Sequence, residues 1–244
     1  MDWQELAIGF GVNLAFGVAA FAARTVGKSG LIAGTVLGTG VWALAGWRGW
    51  VMLVAFFVVG SVLTKFGAKE KEARGIAEAE GGRRGARNAL AKVTPGLLCA
   101  IAMNALGDPN GAWAAAFAAT FATAAADTAG TEVGKAIGKT PILLTTFRRV
   151  PPGTIGAVSV EGTLAGLAAS VVMAAIGSAL ALYGPLGPWK GAGAVIVAAF
   201  GGNVVESWVN AFMAGRRKLD HELSNFLLCA VGAAVAFGLA HLLE

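Results

Sequence analysis

Long apolar runs alternate with short polar connections along the whole chain. They fall at about 4–23, 30–46, 50–65, 94–107, 112–127, 156–183, 192–213 and 223–243, and most approach the roughly 20 residues a helix needs to cross a bilayer. A segment in hydrocarbon must satisfy its own backbone, which favours helices. The pattern therefore predicts an all-α fold: a polytopic transmembrane helix bundle of about eight spans. One integral membrane domain covers 1–244, with a charged loop at about 65–92. The first run begins close to Met1, follows acidic rather than basic residues and lacks a convincing cleavage site, so it reads as a retained span.

The basic residues sit unevenly between these runs. The first, third, fifth and seventh connections hold 17 of the 19, ending with Arg216, Arg217 and Lys218, whereas the even connections hold only Arg48 and Lys190. Cytoplasmic loops carry the excess of Lys and Arg. Both termini are therefore expected on the non-cytoplasmic side, in a prokaryotic inner membrane. The net charge of +5 becomes a topological signal, not a sign of a nucleic-acid partner. With 56% hydrophobic and 14% charged residues, the chain has too much apolar surface for a soluble core. Cys99 and Cys229 lie inside apolar runs and read as buried small side chains, not as a disulfide or metal site. The 36 glycines point to close helix packing. Gly201-Gly202 marks either such packing or a break in the seventh span.

Ionisable groups at bilayer depth are costly, so each is a functional candidate. Asp127, Glu132, Glu161 and Glu206 all fall towards the same end of their runs and could converge. Carboxylates without His or Cys partners are hard oxygen ligands that suit Mg²⁺. The bland alternative for each is a satisfied carboxylate near a helix end. Basic and glycine-rich stretches lie nearby: Gly82-Arg83-Arg84-Gly85-Ala86-Arg87, Phe147-Arg148-Arg149 and Pro151-Pro152-Gly153-Thr154-Ile155-Gly156. These are parts from which a polyphosphate site is built, although arginines also anchor cytoplasmic loops. The loop at 65–92 reads as a solvated helix or turn whose Arg-Gly end covers the site. Gly27-Lys28-Ser29 ends like a P-loop, but Ala22 stands where the first glycine belongs and no strand precedes it. No His- or Cys-based nucleophile is visible.

Read in order, a series of motifs resembles membrane proteins of the TMEM19 or DUF92 type, which include phytyl-phosphate kinases. It runs from Lys28-Ser29-Gly30-Leu31-Ile32-Ala33-Gly34 through Lys65-Phe66-Gly67, Gly82-Arg83-Arg84-Gly85 and Asp127-Thr128 with Glu132-Val133-Gly134. It continues with Val150-Pro151-Pro152-Gly153-Thr154, Gly156, Ser159, Gly162 and Thr163, and ends at Glu206-Ser207. The chain departs from many relatives at Ala129-Gly130-Thr131, at Glu206 and at Lys92, where Asn is common.

The resemblance implies a prenyl- or phytyl-phosphate kinase that moves the γ-phosphoryl group of CTP or ATP onto an isoprenoid monophosphate at the cytoplasmic membrane face. Its expected partners are an isoprenoid lipid phosphate, a nucleotide and membrane lipids. On chemical grounds Asp127, Glu132 and Arg87 are the candidate catalytic residues. Lys65, Arg83, Arg84, Arg149, Gly153, Thr154 and Ser159 are candidate phosphate binders, and Asp127, Glu132, Glu161 and Glu206 candidate Mg²⁺ ligands. Transport or lipid flipping is the alternative, since intramembrane acids and glycine-interrupted spans serve that as well.

Overall fold

The computed structural model describes residues 3–213 and 220–243. The basic cluster Arg216, Arg217 and Lys218 lies outside the described residues. Helices dominate: α1 (Trp3–Ala22), α2 (Lys28–Lys65), α3 (Ala68–Ala73), α4 (Ala86–Leu106), α5 (Ala112–Ile137), α6 (Val160–Ala179), α7 (Pro188–Met213) and α8 (His221–Leu242). The described strands are β1 (Ile142–Leu143) and β2 (Ala157–Val158), an antiparallel pair that pins the loop before α6. The all-α membrane fold stands.

Although α2 counts 38 residues, Gly46 interrupts it with φ 66° and ψ −174°, a left-handed φ that glycine adopts without strain. A straight helix would hold Gly30 and Gly60 about 45 Å apart. Instead, a Cβ on Gly30 would lie 2.1 Å from the Arg84 carbonyl oxygen, and one on Gly60 2.2 Å from Arg84 Nη2. Both glycines flank one arginine, so the chain reverses at Gly46 and α2 forms two antiparallel limbs. This restores the separate spans expected at 30–46 and 50–65. Among the described residues six helices are long and apolar enough to cross a membrane. With the two limbs of α2 counted separately and the alanine-rich α5 beside them, the bundle has roughly six to eight spans.

The alanines explain the position of α5. Ala115, Ala118, Ala119, Ala122, Ala124 and Ala125 are wholly buried together with Phe121, because small side chains let the surrounding helices approach it from all sides. Asp108 starts the helix by accepting from the backbone N–H groups of Trp113 and Ala114, each at 2.9 Å. Outward-facing Ile8, Phe10, Ile32, Val36, Leu164 and Val197 remain exposed, a surface that water would penalise and lipid would not. Of the two readings of Gly201-Gly202, packing is the one found, since α7 is continuous there. A Cβ on Gly202 would stand 3.3 Å from the Thr123 methyl group, which is tight packing.

The connections segregate to two ends. Asn110 meets His241, and Lys190 donates to the Leu243 carbonyl at one end. At the other, Lys71 meets Glu132, Lys135 meets Glu78 and Arg87 meets Asp220. The loop at 65–92 is less solvated than expected. It contains α3, whose Lys71 is buried within the bundle.

Candidate functional site

At the basic end, α5 and α6 approach through paired glycines. A Cβ on Gly162 would come within 2.5 Å of the Gly130 carbonyl oxygen, and one on Gly166 within 3.1 Å of that of Ala126. Gly130-x-x-x-Gly134 faces Gly162-x-x-x-Gly166, so backbone lies against backbone. Ser159 begins α6 as its N-cap, its Oγ accepting from Gly162 N–H at 3.1 Å, which replaces one of the N–H partners a helix start lacks. Ahead of it, Gly153 (φ 85°) and Gly156 (φ 76°) turn the loop. At Gly156 a Cβ would meet the Ala211 nitrogen at 2.4 Å, so only glycine lets this loop lie on α7.

The result is a cleft of about 300 Å³ walled by α5, the loop at 153–159, α6, α7 and the start of α8. Asp127, Gly153, Thr154, Ser159 and Glu206, all expected at the site, line it. Asp127 accepts from Lys92 Nζ at 3.1 Å, and Lys92 also donates to Thr128 Oγ1 at 3.3 Å. Glu206 accepts from Ser224 Oγ at 3.0 Å and from the Asn210 amide. The two carboxylates thus line one cleft from facing helices, α5 and α7. Thr154 Oγ1 donates to the Pro151 carbonyl at 2.7 Å, which holds the glycine loop closed.

The other expected site residues are not brought here. Glu132 stands five residues after Asp127, about 140° further round the helix. It is buried against Lys71, whose ammonium also donates to the Thr64 carbonyl at 2.8 Å. The convergence of four acids is therefore corrected to two. Glu161 sits in the first turn of α6 outside the cleft lining. Arg87 is exposed and paired with Asp220 at 2.9 Å. Lys65, Arg83 and Arg149 are exposed at the same end without lining the cleft. Arg84 lies elsewhere, over Phe56 and Phe57 at 5.5 Å from each ring centroid.

Several cleft residues escaped the sequence reading, Thr131, Lys135, Asn203, Asn210, His221 and Asn225, and so did Lys92, which stands behind the lining and pairs with Asp127. Lys92 carried a usable signal, being a basic residue beside an apolar run. Its helix begins at Ala86, eight residues before the expected start at 94, so it had been assigned to a loop.

The donor set fits magnesium in one particular way. Among the described residues no three of His, Cys, Asp and Glu cluster for a metal. Mg²⁺, however, is commonly held by one or two carboxylates with waters and substrate phosphates completing the octahedron. Asp127 and Glu206, with Thr131, Ser207 and Asn203 in the same wall, supply hard oxygen donors of that kind.

The family model described as "Integral membrane protein DUF92" matches residues 11–232. The chain belongs to the DUF92 family. Within it, the uncharacterized membrane protein sll0875 of Synechocystis sp. is 42% identical over 206 residues, covering 84% of this chain and 78% of that protein. Protein VTE6, chloroplastic, of Arabidopsis thaliana is 37% identical over 214 residues, covering 85% of this chain but 63% of the plant protein. The uncharacterized membrane protein MJ0933 of Methanocaldococcus jannaschii is 26% identical over 214 residues, with 87% and 84% covered. No solved structure matches the chain. The motifs shared with DUF92 proteins map to the basic end: the start and end of α2, the loop before α4, the last turns of α5, the glycine loop before α6, the start of α6 and the end of α7.

Proposed function

We propose that this DUF92 protein is a prenyl-phosphate kinase whose phosphoryl-transfer site is the cleft of Asp127 and Glu206. The observation that carries the reading is the joining, at the basic end, of two neighbouring carboxylates, a lysine on one of them and a wall of glycine backbone. The motif resemblance supplies the substrate class, an isoprenoid monophosphate with a nucleoside triphosphate as donor. By the positive-inside rule this end faces the cytoplasm, where nucleotide is available.

Bound there, Mg²⁺ would be held by Asp127 and Glu206 and would neutralise charge on the transferring phosphates. The chain's own residues do the positioning. Gly130 and Gly162 seat α5 against α6, and Gly156 seats the loop on α7, which fixes the shape of the wall that faces the phosphates. Lys92 stands beside Asp127 and can move from carboxylate to phosphate as charge builds. An oxygen of the acceptor monophosphate attacks the γ-phosphorus, the new P–O bond forms, and the bond to the β–γ bridging oxygen breaks to release nucleoside diphosphate. The acceptor is already an anion, so no general base is required, and placement with electrostatic stabilisation carries the rate.

Transport gains no comparable support. A route through the bundle needs polar groups at all depths, whereas the half opposite the cleft is closed by buried Phe117, Met173 and Tyr183. The reading is tested by incubating purified protein with Mg²⁺, each γ-labelled nucleoside triphosphate and either a prenyl monophosphate or the free alcohol. Label in a lipid diphosphate supports it. Label in neither lipid product, with every nucleotide tried, refutes it.

A further inference from the structure

A second cleft lies on the other side of Lys92. Its walls are α1, both limbs of α2 and the start of α4, and it is apolar, with Phe16, Leu31, Leu37, Leu53 and Phe57 in its lining. Three glycines spaced by four residues mark one helical face of the first α2 limb. Two of them are explained by packing: a Cβ on Gly30 would strike the Arg84 carbonyl oxygen, and one on Gly38 would lie 1.9 Å from Asn13 Oδ1. Gly34, between them, would meet nothing within 4 Å. Tight packing accounts for the ends of the stripe, but the space at its middle is open.

The cleft is apolar along its length and cationic at one end. The Arg84 guanidinium reaches into it where Gly60 leaves room, and its buried Nη1 has no hydrogen-bond partner among the described residues. A buried donor left unpaired is costly, and a guanidinium matches phosphate geometry. The backbone of Arg84 is fixed, its N–H donating to the Thr25 carbonyl at 3.0 Å and its carbonyl accepting from Gly27 N–H at 3.1 Å. Lys92 lines the same end while holding Asp127 of the polar cleft, so the two clefts meet at that lysine. At the far end Trp50 Nε1 donates to Asn13 Oδ1 at 2.9 Å, and Trp42 packs edge-on against Trp50. From Gly30 to Gly38 the depth is about 12 Å.

We propose that this cleft holds the hydrocarbon chain of a single-chain lipid phosphate, with its phosphate between Arg84 and Lys92, and that Asn13 and Trp50 close the floor and limit chain length. Charge complementarity selects the occupant: a neutral lipid leaves the Arg84 donor unpaired, a zwitterionic one brings a cation of its own beside Arg84 and Lys92, and a free nucleotide has nothing to place in the apolar part. The assignment rests on the kinase reading for the identity of the head group. It adds where that acceptor lies, on the Lys92 side opposite the metal-binding carboxylates.

The test uses the whole protein in detergent, without nucleotide, and geranyl monophosphate carrying a diazirine at the chain terminus. The expected labelling falls on α1 and α2 around Asn13 and Trp50. It is blocked in Gly34→Phe, whose side chain enters the open space. It weakens by roughly tenfold or more in apparent affinity in Arg84→Gln, through loss of a charged hydrogen bond. Trp50→Ala shifts preference towards a longer prenyl chain. If Gly34→Phe does not fold, Gly34→Leu fills the same space with a smaller group. Labelling elsewhere, labelling unchanged in both the glycine and arginine variants, or equal displacement by excess phosphatidylcholine would overturn the proposal. Correct labelling without phosphoryl transfer upholds the cleft and removes the kinase reading, whereas transfer with labelling elsewhere does the reverse.

Discussion

Replacing Lys71 with Met breaks the buried pair with Glu132, and its cost can be estimated from burial. The two side chains are 1% and 3% exposed, so the remaining carboxylate would be uncompensated in a low-dielectric setting. Removing one partner of such a pair costs about 3–5 kcal/mol. For a chain of this size that lowers the unfolding midpoint by roughly 6–20 °C. Cys99 and Cys229 are both free and buried, so a thiol-reactive fluorogenic dye reports unfolding in detergent without any added label. Glu132→Leu should destabilise comparably, because the Lys71 ammonium keeps only the Thr64 carbonyl. The double variant Lys71→Met/Glu132→Leu carries no buried charge and should recover most of the loss. Since Glu132 faces away from the cleft, the double variant should also retain phosphoryl transfer. A stable double variant without activity would refute the structural role given to Glu132 and return it to the chemistry.

Three further outcomes follow from the same geometry. Gly162→Val drives a side chain into the Gly130 carbonyl and should cost at least about 1–3 kcal/mol by overpacking, read as a lower dye midpoint with transfer lost in parallel. Arg87→Ala removes only an exposed pair with Asp220 and should leave both midpoint and turnover unchanged; a large loss of turnover at an unchanged midpoint would put Arg87 back at the site. Burial alone would raise the Glu78 carboxyl above its ordinary 4.5, but the Lys135 ammonium at 2.8 Å outweighs it and holds the group below that value. A carboxylate lowered on folding stabilises above its unfolded pKa and loses that contribution as pH falls through the folded one. The midpoint should therefore fall with pH below 4.5, and less steeply in Lys135→Met.

How far the sequence could be read depended on what each signal measures. Hydropathy located the apolar runs, and the Lys and Arg distribution sorted their connections into two ends, because both properties survive averaging over a window. Helix boundaries did not survive it. The run expected to stop at Asp127 continues as α5 to Ile137, and those extra turns carry Glu132 away from Asp127. The run expected to start at 94 begins at Ala86, which makes Lys92 a residue of the bundle and not of a loop. Charges mark where hydropathy falls, but helices continue past them when a partner across the bundle accepts the charge, as Lys71 does for Glu132 and Lys92 for Asp127. The glycines were ambiguous in a related way. Gly201-Gly202 allowed either packing or a break and proves to be packing, while the backbone bends at Gly46, where a left-handed φ separates two spans.

The cleft also contains residues that no charge pattern announces. Asn203, Asn210 and Asn225 come from two helices and meet only after α7 packs against α8. Arg84 is the opposite case. Its Arg-Gly context points to a phosphate holder without saying which cleft it serves, and the guanidinium enters the apolar cleft beside α2 because Gly60 lacks a side chain.

The most direct test of the central claim compares phosphoryl transfer from γ-labelled nucleotide to a prenyl monophosphate in the wild type, Asp127→Asn and Glu206→Gln, with folding monitored by the thiol dye. Asp127→Asn and Glu206→Gln should each keep an unfolding transition and lose Mg²⁺-dependent transfer. Full transfer in both folded variants would show that the cleft of Asp127 and Glu206 is not where the phosphoryl group moves.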